Sequence, residues 1–321
     1  MHGAPCSSPF RAQFRLRFER RNSELRLAGI VIVCRRADSF CGNIVRMSVR
    51  RTFKTVRALL RPVLLSILIA EAGLFVVRTS VSPNVLRDTN DVVGNYLQTL
   101  GTIYAVLLAF VVFVVWSQFN DARSYVEREA NELLDLFRTS KRLPAERRAA
   151  IQSYIGKYVG VVLEREWPAM AKSDNSQAFE EGGAILDQLW DVLHDFEPNT
   201  TCHAALHSEI LSRFNDLSDV RTNRLTSGQL RIPLALKILI YTGAVLTVGS
   251  MYLFSLQNWV VHALMTGAMA GALSHILYLI HDLDNCFAGD WQVPRSAFQR
   301  VQQFIQNPRE AKLVELRAQQ S

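Results

Sequence analysis

The sequence predicts an all-α integral membrane protein with four transmembrane helices and a helical cytoplasmic domain inserted between the second and third. Three observations predict it. Of the 321 residues, 49% are hydrophobic, and they are gathered into blocks rather than spread along short amphipathic periods. Four blocks reach the roughly 20 residues that a hydrocarbon core about 30 Å thick demands at about 1.5 Å per residue. The stretch between the second and third blocks repeats its apolar residues every three or four positions, without strand-like alternation.

The first 61 residues form a basic arm. They hold 14 basic and three acidic side chains, leaving 22 basic and 26 acidic for the rest, so the arm alone accounts for the net charge of +7. An excess confined to the flank of the first span points to an anionic membrane surface. No aromatic-interleaved basic motif for nucleic acid is present. Residues 1–46 show little periodicity beyond Phe10, Phe14 and Phe18, their apolar run at 27–34 is too short to span, and a second methionine follows at Met47. An over-extended gene start or a disordered tail is the preferred reading, ahead of an amphipathic surface-binding arm. Cys6, Cys34, Cys41, Cys202 and Cys286 make no CxxC pair and read as reduced, incidental thiols.

The first span covers residues 62–81 and carries one carboxylate, Glu71. The second, 97–116, has no charge. The third, 234–254, has Lys237 near enough to its end to snorkel, and the fourth, 259–280, contains His262 and His275. Basic residues set the orientation: the arm and the segment after the fourth span are basic, while Arg78 and Arg87 between the first two spans are balanced by Asp88 and Asp91. Both termini and the insert are therefore expected in the cytoplasm. Tyr96, Trp116, Tyr252 and Trp259 mark the interfaces, the last two facing each other across the outer turn. In the fourth span Ala263, Gly267 and Gly271 recur every four residues, a face for close helix packing within this chain or with a neighbour.

The insert, 117–233, reads as helices. Ala122, Val126, Ala130, Leu133 and Phe137 continue the second span without a breaker, so span and first cytoplasmic helix form one rod. A second helix starts at Pro144 and is expected to stop at Pro168. After a polar linker at 173–176, a third covers 178–196, and a fourth is capped by Thr200 or Thr201 and ends near Gly228. Residues 234–280 hold the last two spans and 281–321 a cytoplasmic C-terminal segment.

Candidate chemistry is sparse. His203 and His207 share a helix face near His194, Cys202 and Glu209, but no HExxH motif or third ligand accompanies them; solvated histidines are favoured, and no metal site is assigned. Glu71 reads as an ion-pathway residue or as a hydrogen bond to a neighbouring helix, two readings that burial alone does not separate. Asp282, Asp284 and Asp290 lie close together around Gly289, as carboxylates for a hard cation do, but without the spacing of a calcium loop; a helix-ending turn with solvated acids is favoured. Walker, GxSxG, dinucleotide and kinase signatures are absent, so no enzyme activity and no cofactor is expected.

The segment GTIYAVLLAFVVFVVWSQF at 101–119, followed by EREANEL at 127–133, resembles the hallmark of a bestrophin-like family of mostly bacterial membrane proteins. EWPAM at 166–170, RTNRL at 221–225 and LDNCFAGDWQV at 283–293 fit the same pattern, although the family usually has a proline where Cys286 stands. The resemblance covers about 62–304. It implies four spans, cytoplasmic termini and a homo-oligomer, a pentamer by the pattern of eukaryotic bestrophins, which are anion channels; bacterial relatives can conduct cations. It places the second span at the pore, with Phe110, Phe113 and Val114 as lining candidates, and the Asp282–Asp290 turn where eukaryotic members bind calcium, though without their dense acidic run. The expected function is thus an ion channel of the bacterial inner membrane, its partners the bilayer, inorganic ions and further copies of itself. The alternative is a non-conducting scaffold whose insert binds a cytoplasmic partner.

Overall fold

A computed structural model describes residues 59–81, 90–173, 177–198 and 200–307. Residues 1–58 of the basic arm, Arg87 and Asp88, most of the polar linker, and the C-terminal basic residues beyond Asn307 lie outside the described residues. Helix α1 spans Leu59–Ser80. Helix α2, Asn90–Ser140, is a single 51-residue element, about 76 Å long at 1.5 Å per residue, and it unites the second span with the first helix of the insert. Four described helices are long and apolar enough to cross a membrane: α1, α2, α7 (Leu234–Met251) and α8 (Trp259–Leu283). The fold is all-α, with the helical domain between the second and third of these spans.

The domain comprises α3 (Ala145–Val161), a π-helical segment (Val162–Glu166), α4 (Trp167–Lys172), α5 (Gln177–His194) and α6 (Thr201–Gln229). After α8, helix α9 (Ser296–Gln306) buries Ala297, Phe298, Val301 and Phe304 and returns onto α2 and α3. Membrane helices α7 and α8 line one half of α2, and α6 lines the other. One rod thereby serves both the span region and the domain.

The break expected at Pro168 does not occur. Pro168 has no N–H, and in an α-helix its ring meets the carbonyl four residues back. Here the five-residue π turn lies just upstream, and the Trp167 N–H donates to Val162 O, five residues back. That widened turn lets the helix continue through Pro168 to Lys172. It ends at Ser173, whose φ of 58° lies in the left-handed region.

Caps fix the remaining boundaries. The Thr200 hydroxyl accepts the His203 N–H at 3.1 Å and starts α6. Asn258 Oδ1 accepts the N–H groups of Val260 and Val261 and starts α8. Asn90 brackets the α7–α8 turn, accepting the Ser255 N–H at 2.9 Å and donating to Ser255 O. Tyr252 and Trp259 both turn to α1 across that end. Trp259 meets Phe75 edge-on, and the Arg78 guanidinium lies 5.3 Å over its ring.

Thr200→Ala removes the α6 cap and is expected to cost about 1 kcal/mol. Thermal unfolding of the detergent-solubilised protein measures it, and an unchanged midpoint would show that α6 is held by packing alone.

Candidate pore helix and its supports

The buried positions of α2 recur at helical spacing: Tyr104, Leu108, Val111, Val115, Phe119 and Ala122. The opposite side carries Ile103, Val106, Phe110 and Phe113, all at least 60% exposed. Ile103 to Phe113 covers about 15 Å along the axis. On the same side, exposed Asn95, Thr99 and Thr102 precede this apolar band, and Ser117, Asn120 and Ser124 follow it. Val114 sits on the flank, half-buried.

A contact with α7 helps to set the rotation of α2. The Tyr104 hydroxyl donates to Ile240 O at 2.6 Å. Its ring lies against Gly243, where a Cβ would come within 2.4 Å of ring carbon. A side chain at 243 would push α2 away and turn its outward face. Gly243→Ala is expected to destabilise by about 1–3 kcal/mol, as overpacking does, measured by thermal unfolding in detergent.

The small-residue line of α8 packs on α1 of the same chain. A Cβ on Gly267 would lie 3.0 Å from Glu71 Oε1, and one on Gly271 would lie 3.2 Å from Ile67 Cδ1. The half-buried Glu71 carboxylate therefore stands at the α1–α8 crossing. One turn nearer the start of α8, His262 is buried. Its Nε2 lies 2.8 Å from Met251 O and so carries the proton, leaving Nδ1 as the acceptor facing Arg78 Nη1 at 3.5 Å.

In the domain, five polar side chains from four elements meet out of water. Arg224 of α6 forks onto Glu129 of α2 through Nε and Nη2, and Nη2 also reaches Glu166 of the π segment. The Tyr158 hydroxyl of α3 donates to Glu129. Arg221 bridges Glu166 Oε1 and Phe179 O, each at 2.8 Å. Glu129, Glu166 and Arg224 are fully buried. Burial opposes the Arg224 charge, yet Glu129, Glu166 and Tyr158 together hold its pKa well above the usual value. Burial, then the two carboxylates, push the Tyr158 hydroxyl well above its ordinary range and keep it a donor. Gly182 of α5 lets the chain pass: a Cβ there would stand 2.0 Å from Glu166 Oε1. The Trp167 ring, on the residue after Glu166, is edge-on to Phe287 and Phe298.

The turn after α8 uses its acids internally. Asp282 accepts the N–H groups of Asp290 at 3.1 Å and Trp291 at 2.8 Å. Gly289 has φ of 79°, and a Cβ on it would meet Asp282 Oδ1 at 2.1 Å, so glycine is required twice over. Asp284 accepts the Ile232 N–H and the Lys237 ammonium, each at 2.6 Å. Asp290 accepts from Tyr278. Asp282 and Asp284 are buried, which corrects the expectation of solvated acids: turn formation and the start of α7 supply donors in place of water. Cys286 is buried too, and burial raises its thiol to about 11, so it stays neutral. Among the described residues no group of three His, Cys, Asp or Glu side chains is placed to hold a metal ion. The His203 and His207 rings flank Phe196, and His207 Nε2 lies 2.9 Å from Leu193 O.

A model of the bestrophin-like domain matches residues 64–298. The chain belongs to the bestrophin-like family. Its fold agrees with crystal structures of a bacterial bestrophin homologue from Klebsiella pneumoniae, each of a point mutant. One is 13% identical with a TM-score of 0.59, and a second is 14% identical with a TM-score of 0.60. Each comparison covers 78% of this chain and 99% of the other. No curated protein sequence matches the chain.

The bestrophin-like segments scattered along the sequence converge in space. EREANEL supplies Glu129, EWPAM supplies Glu166 and Trp167, RTNRL supplies Arg221 and Arg224, and LDNCFAGDWQV supplies Phe287. The ion cluster was missed from sequence because its charges lie far apart along the chain on different helical elements; the resemblance of these short segments to the family pattern was the one signal that could have found it. Phe110 and Phe113 share one face, whereas Glu71 and the turn of Asp282, Asp284 and Asp290 lie on other elements.

Arg224→Met strands two buried carboxylates and is expected to cost about 3–5 kcal/mol, seen as loss of monodisperse protein in detergent. Adding Glu129→Gln and Glu166→Gln should restore much of the yield. A destabilisation that the triple variant does not relieve would mean packing, not charge, is at stake.

Proposed function

We propose that the protein is an oligomeric ion channel of the bacterial inner membrane in which α2 lines the pore. The observation that carries the reading is the outward face of α2, an apolar band between two sets of polar side chains, exposed in the single chain. Copies arranged around an axis parallel to α2 would turn that face inward. Phe110 and Phe113, flanked by Val114, would then form an apolar constriction that gates by dewetting. Family membership supports the reading, and a closed ring, five copies by the eukaryotic pattern, meets the need for several α2 rods around one path. The basic arm supports placing both termini and the helical domain in the cytoplasm.

Reconstitution in planar bilayers tests this. Phe110→Ala and Phe113→Ala are expected to widen the constriction and raise unitary conductance, while Leu264→Ala on the outward face of α8 leaves it unchanged. Silent bilayers from monodisperse oligomer would overturn the reading, as would a monomeric mass in native mass spectrometry.

A further inference from the structure

Helices α1, α7 and α8 enclose a cavity of about 570 Å³, within the size range of small-molecule sites. Its floor is apolar and buried, formed by Ala70, Ala244, Ala270 and Leu273. Its mouth passes Ile69 and Val245, both exposed, and is continuous with the outward apolar faces of α1 and α7 at Leu68 and Leu246. In a multi-pass membrane protein those faces meet acyl chains.

Polar side chains line both ends of the cavity, with Tyr252 where α7 ends and Tyr241 on its wall. Tyr278 and His281 stand at the end nearest the helical domain, where α8 closes and α7 begins. Deeper in, the serine hydroxyls are already used: Ser66 Oγ donates to Val63 O at 2.8 Å, and Ser274 Oγ donates to Pro62 O at 3.4 Å. The floor thus asks its occupant for no hydrogen bond, a condition that hydrocarbon meets and water does not. From His281 back to Ala270 the lining runs along α8 for about 16 Å, and on α7 it continues to Tyr252 at the far end.

We propose that this cavity holds one acyl chain of a bilayer phospholipid, entering through the lateral mouth at Ile69 and Val245. The site is independent of whether α2 lines a pore. Its lateral opening and its buried apolar floor fit a hydrocarbon chain rather than a free polar solute.

The full chain reconstituted in vesicles of phosphatidylethanolamine and phosphatidylglycerol, doped with phosphatidylethanolamine bearing a mid-chain diazirine, tests it. On irradiation, labelled peptides are expected to centre on Ala70, Val248 and Leu273, well above the label on Val260 and Leu264 of the open α8 face. Ala270→Trp, which fills the floor, should lower cavity labelling by about tenfold, the factor for a loss of about 1.4 kcal/mol, without changing label on the open face. Should Ala270→Trp fail to fold, Val245→Trp at the exposed mouth gives the same obstruction. Uniform labelling of all outward faces, no label in the cavity because another copy fills it, or cavity labelling unchanged by the tryptophan would each overturn the proposal.

Discussion

Arg224 is a full positive charge with no access to water, and the helical domain is arranged around what that charge requires. Removing a guanidinium from solvent is offset only if its donors find anionic acceptors in good geometry. Glu129 and Glu166 supply them, with Tyr158 and Arg221 completing the set. These groups come from α2, α3, the π segment and α6, so meeting the needs of one side chain fixes four elements relative to one another. The π turn between Val162 and Glu166 ends at this cluster, and Glu166 and its neighbour Trp167 are both buried.

The cluster is linked to the membrane helices through the turn after α8. Phe287 packs on Trp167, Asn285 donates to Ala171 O at 3.1 Å, and Asp284 holds both the Ile232 N–H and Lys237 at the start of α7. Trp291 reaches Trp116 where α2 leaves the span region. A charge arrangement in the domain is therefore mechanically joined to the ends of α2, α7 and α8. The acids of this turn act as a clasp on the chain itself, each spent on a donor a few residues or one helix away.

Within the span region the decisive positions are glycines. Gly243 admits Tyr104, Gly267 and Gly271 admit α1, and Gly73 lies against Tyr252. In hydrocarbon, packing rather than solvent exclusion holds helices together, so close approach at small residues governs which faces remain outward. The apolar band of α2 and the lateral opening between α1, α7 and α8 are what those approaches leave uncovered.

Hydropathy by itself determined the four spans, because crossing a membrane needs a run length and a composition, and both are local. The unbroken periodicity from Ala122 to Phe137 determined the α2 rod, and the threonine pair at 200 and 201 determined the start of α6, with Thr200 forming the cap. The spacing of Gly267 and Gly271 announced a packing face, but its partner, α1, was decided by the tertiary structure. So were the passage through Pro168, the burial of Asp282 and Asp284, and the pairing of Glu129 with Arg224, 95 residues apart. Those outcomes depend on which donors and acceptors are brought together once water is excluded, a property of the packed helices that no local window of the sequence contains.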